Sequence, residues 1–71
     1  MPKLPHVSGS EAVRALKQLG FEIARQRGSH IVMRRGASGC VFPNHREIKI
    51  GTLHGVLRQA GISVEEFIAA L

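Results

Sequence analysis

The hydrophobic positions of this chain follow a helical period at both ends and a strand period in the middle. Ala12, Val13, Leu16 and Leu19 recur at helical spacing, with Arg14, Lys17 and Gln18 on the wetter side. Ser8-Gly9-Ser10-Glu11 has capping-box spacing: the serine oxygen takes an orphan backbone N–H and the glutamate reaches back, with Val7 and Ala12 as the accompanying staple. Gly20 supplies the stop. From Phe21 to Arg27 the period drops to two, with Phe21, Ile23 and Arg25 alternating with Glu22, Ala24 and Gln26, which predicts a strand. Gly28-Ser29 is a tight connection, and His30 to Arg35 is a second strand, with Ile31 and Met33 on one face and His30, Val32 and Arg34 on the other. A four-residue turn, Gly36-Ala37-Ser38-Gly39, leads to a short third strand, Cys40-Val41-Phe42. Pro43-Asn44 ends it, because proline cannot donate to a ladder.

The helical period returns at Leu53, Val56, Leu57 and Ala60, with Thr52 as the expected N-cap and Gly61 as the stop. Gly55 inside this helix costs about 1 kcal/mol relative to alanine, so a close packing neighbour is expected there. Ser63-Val64-Glu65-Glu66 is a second capping box, with Ile62 and Phe67 as its staple, and it heads a last short helix through Leu71. The order α-β-β-β-α-α predicts an α+β fold: a three-stranded antiparallel meander with helices on one face and the other face open. The expected organisation is a single domain over residues 1–71, whose core is thin, since a chain of this size buries only about 60% of its unfolded surface. Any chemistry then sits on the surface of one layer pair.

Charge sharpens this picture. Ten Lys and Arg residues against five acidic ones, all glutamate, give a formal net charge of +5. Between Glu22 and Glu47 there is no acidic residue, while Arg25, Arg27, Arg34, Arg35 and Arg46 all fall in that span. Such an excess attracts polyanions, with nucleic acid the first expectation and an acidic protein the second. Cys40 is the only cysteine, so neither an internal disulfide nor a cysteine metal knuckle is expected. No stretch reads as a signal peptide or a membrane span, and the cytoplasm is the expected compartment.

The absence of Asp and the scatter of the glutamates argue against a two-metal carboxylate site or a glycosidase pair. No phosphate loop of P-loop spacing occurs either. Among His6, His30, His45 and His54, His30 stands apart: it follows Gly28-Ser29 at a hairpin turn, between Arg27 and Arg34-Arg35. Cleavage of RNA by attack of a 2′-OH on its own phosphorus needs a base, a proton for the leaving 5′-oxygen and cations for the extra negative charge. An imidazole of reference pKa ~6.5 trades protons near neutrality, and arginines stabilise the charged transition state. The expected reaction needs no metal and no cofactor. His45 and Lys49, in the basic loop before the second long helix, are candidates for contact with the bound strand. Two other readings stay open on the residues alone. One is a binding module that uses the same basic face without catalysis. The other is a metal site of His30, His45 and Cys40, whose spacing fits no common zinc pattern.

The run Phe21-Glu22-Ile23-Ala24-Arg25-Gln26-Arg27-Gly28-Ser29-His30-Ile31-Val32-Met33 resembles the signature of HicA toxins, the ribonuclease half of HicA–HicB toxin–antitoxin pairs. Ser8 to Gly20, Lys49-Ile50-Gly51-Thr52-Leu53 and the tail from Leu57 to Phe67 are similar to that family as well, so the likeness covers nearly the whole chain. The resemblance implies a fold like double-stranded-RNA-binding domains and cleavage of messenger RNA. It implies His30 as the catalytic residue, in a setting of Gly28 and Ser29. Beside it, the charge pattern sets Arg25, Arg27, Arg34 and Arg35 to hold phosphates, with His45 and Lys49 also expected to face RNA. The resemblance further implies an antitoxin of the HicB kind that covers His30, in a complex that is often a heterotetramer.

Overall fold

A computed structural model describes residues 3–71. Its elements run α1 (Gly9–Gln18), β1 (Glu22–Arg27), β2 (His30–Arg35), β3 (Ser38–Pro43), α2 (Ile50–Ala60) and α3 (Val64–Ala70). The strands form one antiparallel sheet in the order β1-β2-β3. This is the α+β order read from the sequence. Ile31, Met33, Cys40 and Phe42 on one face of the sheet join Ala12, Leu16, Leu53, Leu57 and Phe67 from the helices in one buried cluster. The helices therefore cover a single face. Phe21, Phe42 and Phe67 are among the largest fully buried side chains, and truncating such a ring costs about 3–5 kcal/mol.

Both capping boxes form. Ser8 Oγ accepts from the Glu11 amide at 3.1 Å and the Ser8 amide donates to Glu11 at 2.8 Å; Ser63 and Glu66 repeat the arrangement at 3.0 and 2.9 Å. The serine N–H groups hold the carboxyls of Glu11 and Glu66 below the usual carboxylate range.

Four details differ from the sequence reading. The second turn is Gly36-Ala37 alone, because Ser38 and Gly39 pair with Arg35 and Arg34 as part of β3. With Gly36 at φ +59 and the next residue at negative φ, it has the form of a type II′ hairpin turn, whose twist matches that of the flanking strands. Pro43 belongs to β3 and lies opposite His30, which is tolerated because β3 is an edge strand. The first helical bond of α2 runs from the Leu53 amide to the Lys49 carbonyl at 2.9 Å, so the helix starts before Thr52. Its direction is fixed just upstream, where Ile48 bridges Val7 and donates to its carbonyl at 2.8 Å. Finally, Gly55 has no close neighbour: a β-carbon built there meets nothing within 4 Å. Among the described residues, no helix is long and apolar enough to cross a membrane.

Candidate functional site

The face of the sheet that the helices leave bare is assembled by register. Directly opposed residues on antiparallel strands share a face. Arg27, His30 and Pro43 make one row across it, Arg25, Val32 and Val41 the next, and Glu22, Arg34 and Gly39 the third. His30 and the three arginines are exposed, and Val41 is 47% exposed on the edge strand β3, beside Val32 of the central strand. Arg27 is the cross-strand neighbour of His30, and Arg25 is its diagonal neighbour at about 7–8 Å, still within reach of a long side chain. Arg34 lies four residues along β2, about 13 Å away at strand rise. Two guanidinium groups thus attend the imidazole, and a third sits where an extended polyanion continues.

Strict alternation would not have produced this. With Phe21 in the core, Ile23, Arg25 and Arg27 would all point inward. The register shifts between Ile23 and Arg25, so that Ile23 opposes Met33 while Arg25 opposes Val32. This bulge at Ala24 leaves one residue unpaired and reverses the phase of the strand. Arg25 and Arg27 accordingly come out beside His30, and Phe21 stays buried.

The turn before His30 has the same two-residue form as Gly36-Ala37, with Gly28 at φ +57. A β-carbon would meet no atom at Gly28, so its requirement there is the backbone angle alone. The Ser29 carbonyl accepts from the Asn44 amide, which brings the segment after β3 against the turn. His45 follows Asn44 in that exposed segment. Lys49 is exposed at the head of α2, off the sheet face.

Arg35 points the other way. Its guanidinium donates to the Leu19 carbonyl at the end of α1 at 2.8 Å and lies 4.7 Å from the centre of the Phe21 ring. It caps a helix and covers a core aromatic on the side away from His30. Cys40 is buried in the core, and burial pushes its thiol up to about 11. It cannot join His30 and His45 around an ion, and no group of three metal-ligating side chains occurs among the described residues. His6 lies 3.4 Å from Glu47 in an exposed pair, and His54 is on α2. A groove of ≈ 680 Å³ lined by Lys17, Gly20, Phe21, Glu22 and Ile23 opens at the end of β1 remote from His30. The cluster of cations and imidazole lies on an open face, which suits a polymer better than a small molecule.

Searches of the curated proteins and of the solved structures return no match. Residues 9–62 do match the model of a family described as "HicA toxin of bacterial toxin-antitoxin". That span runs from the first turn of α1 through the whole sheet to two residues past α2, and includes the bulge, the turn and every arginine of the open face. The chain belongs to the HicA toxin family, the toxin component of bacterial toxin–antitoxin systems.

Proposed function

We propose that this toxin is an endoribonuclease that cleaves messenger RNA without a metal ion, with His30 as its catalytic residue. One observation carries the reading: an exposed imidazole stands in a row with Arg27 and diagonal to Arg25, on a sheet face that the fold leaves uncovered. His30 removes the proton of a ribose 2′-OH as its oxygen attacks the adjacent phosphorus. The bond to the 5′-oxygen breaks, that oxygen takes up a proton, and a 2′,3′-cyclic phosphate remains. Arg27 and Arg25 stabilise the charge that builds on the phosphoryl oxygens, and Arg34 holds the strand further along. His45, Lys49 or water supplies the second proton; His45 follows Asn44, whose amide donates to the Ser29 carbonyl.

A toxin of this family has an antitoxin partner. We take it to be an acidic, HicB-like protein that covers His30 and competes with RNA for Arg25, Arg27 and Arg34, in a heterotetramer. The test is cleavage of an RNA oligonucleotide with chelator present. His30→Ala is expected to cut about 10²–10⁴-fold more slowly. Undiminished cutting by that variant removes His30 from the mechanism. Salt-sensitive RNA retention by the wild-type protein without cyclic-phosphate products leaves a binding module instead.

A further inference from the structure

The hairpin end that carries His30 is tied to the start of α1 through a contact that has no room for a side chain. Gly9 is buried in the first turn of α1. A β-carbon built on it would lie 2.6 Å from the Asn44 α-carbon and 3.1 Å from its carbonyl carbon, and would also overlap Asn44 Oδ1. The obstacle is main chain, so no change of rotamer relieves it. The Gly9 amide donates to the His45 carbonyl at 2.8 Å, and the Ile48 amide donates to the Val7 carbonyl at 2.8 Å, which zips residues 44–48 along residues 7–9. The other end of this segment reaches the site, since the Asn44 amide donates to the Ser29 carbonyl in the turn before His30.

We infer that Gly9 and Asn44 are positioning residues for His30: the bare backbone of Gly9 seats Asn44, and Asn44 holds the turn that sets the imidazole. The inference rests on the catalytic reading of His30 and adds that α1, which contributes nothing to the open face, fixes the geometry there. Gly9 does not adopt positive φ, so alanine is tolerated by its backbone angle and only the neighbour opposes it. Gly51 offers a control, because it lies in the first turn of α2 with nothing within 4 Å of its β-carbon position.

The experiment compares Gly9→Ala, Gly51→Ala and the wild-type chain, isotopically labelled, in RNA-oligonucleotide cleavage and in amide NMR spectra. Gly9→Ala is expected to lower kcat by about 10²-fold, the scale of a misplacement near 1 Å. KM stays within about twofold, because the phosphate-binding arginines keep their places on the sheet. The Ser29, His30 and Asn44 amide signals move while those of Glu22 and Ile23 do not, and Gly51→Ala changes none of these. A kcat within about twofold of wild type, or shifts spread evenly over the sheet, overturns the inference. Should Gly9→Ala fail to fold, exchange of the Asn44 amide in the wild-type chain decides: protection matching β2 supports the latch and exchange at a loop rate refutes it. If His30→Ala cleaves like wild type, the catalytic reading fails, while the amide shifts still judge the positioning.

Discussion

Gly55 lies in the middle of α2, half-buried, one residue before Val56 of the apolar stripe and flanked by exposed His54. Its backbone is not in the left-handed region, and a β-carbon there would touch no heavy atom within 4 Å. Alanine at this position therefore adds no clash and next to no packing. What changes is the unfolded chain, which loses conformations it would otherwise surrender on folding. A glycine inside a helix is about 0.8–1.0 kcal/mol less favourable than alanine. That raises the ratio of folded to unfolded protein roughly four- to fivefold. In a chain of this size the melting midpoint rises by about 4–8 °C per kcal/mol. Thermal and urea unfolding followed by circular dichroism measure it, with an unchanged urea slope showing that only stability has moved. A midpoint that stays put or falls refutes the claim that Gly55 stands clear of its surroundings. The same substitution at Gly9 meets main chain instead, so helix propensity and geometry there pull in opposite directions.

The paired arginines of β2 separate by role. Arg35→Ala is expected to cost about 1 kcal/mol of stability, through the lost helix-end hydrogen bond and ring contact, with little change in RNA affinity per folded molecule. Arg34→Ala is expected to leave stability within about 0.5 kcal/mol, weaken both RNA and antitoxin binding, and reduce the salt slope for RNA by about one; equal stability losses from the two variants would contradict the assignment. The capping carboxylates of Glu11 and Glu66 titrate lower in the folded chain than in the unfolded one. Their contribution is therefore complete above the ordinary glutamate pKa of about 4.3 and fades as pH falls through the lower folded values. Replacing both by Gln should flatten the acid limb of the urea midpoint against pH, and an unchanged limb would count against the caps as its source.

Much of this architecture was legible because local chemistry wrote it. Ser8 with Glu11, and Ser63 with Glu66, announce helix starts through bonds made within four residues. Gly28-Ser29 announces a turn through a backbone angle that one residue must adopt. The helical period of Leu53, Val56, Leu57 and Ala60 reflects a single buried face. What stayed hidden depended on partners distant in sequence. The start of α2 is set by the bridge from Ile48 to Val7, and Thr52, a good cap by composition, falls inside the helix. Of the arginine run, Arg34 and Arg35 are adjacent in sequence yet serve opposite faces; alternation along β2 sets Arg34 beside His30, whereas the Leu19 carbonyl and Phe21 ring that engage Arg35 lie far off in the chain. His30 could be singled out from its neighbours in the chain. Charge alone puts Arg25 with it, while period-two counting from Phe21 sends that side chain into the core, and only the bulge at Ala24 reconciles the two. The Gly9–Asn44 contact left a trace only as a glycine inside a capping box, which reads as an ordinary early-helix residue.

The extra residue in β1 frees the two ends of one strand to obey different masters. Toward Gly20, the strand answers to the hydrophobic interior, which demands Phe21; toward Gly28, it answers to the hairpin, which sets Arg27 against His30. In an unbroken ladder these two demands share one odd-or-even count, and satisfying either would violate the other. With Ala24 absorbing the mismatch, substitutions that retune the cationic half for a different nucleic acid or inhibitor need not disturb the half that holds the protein folded.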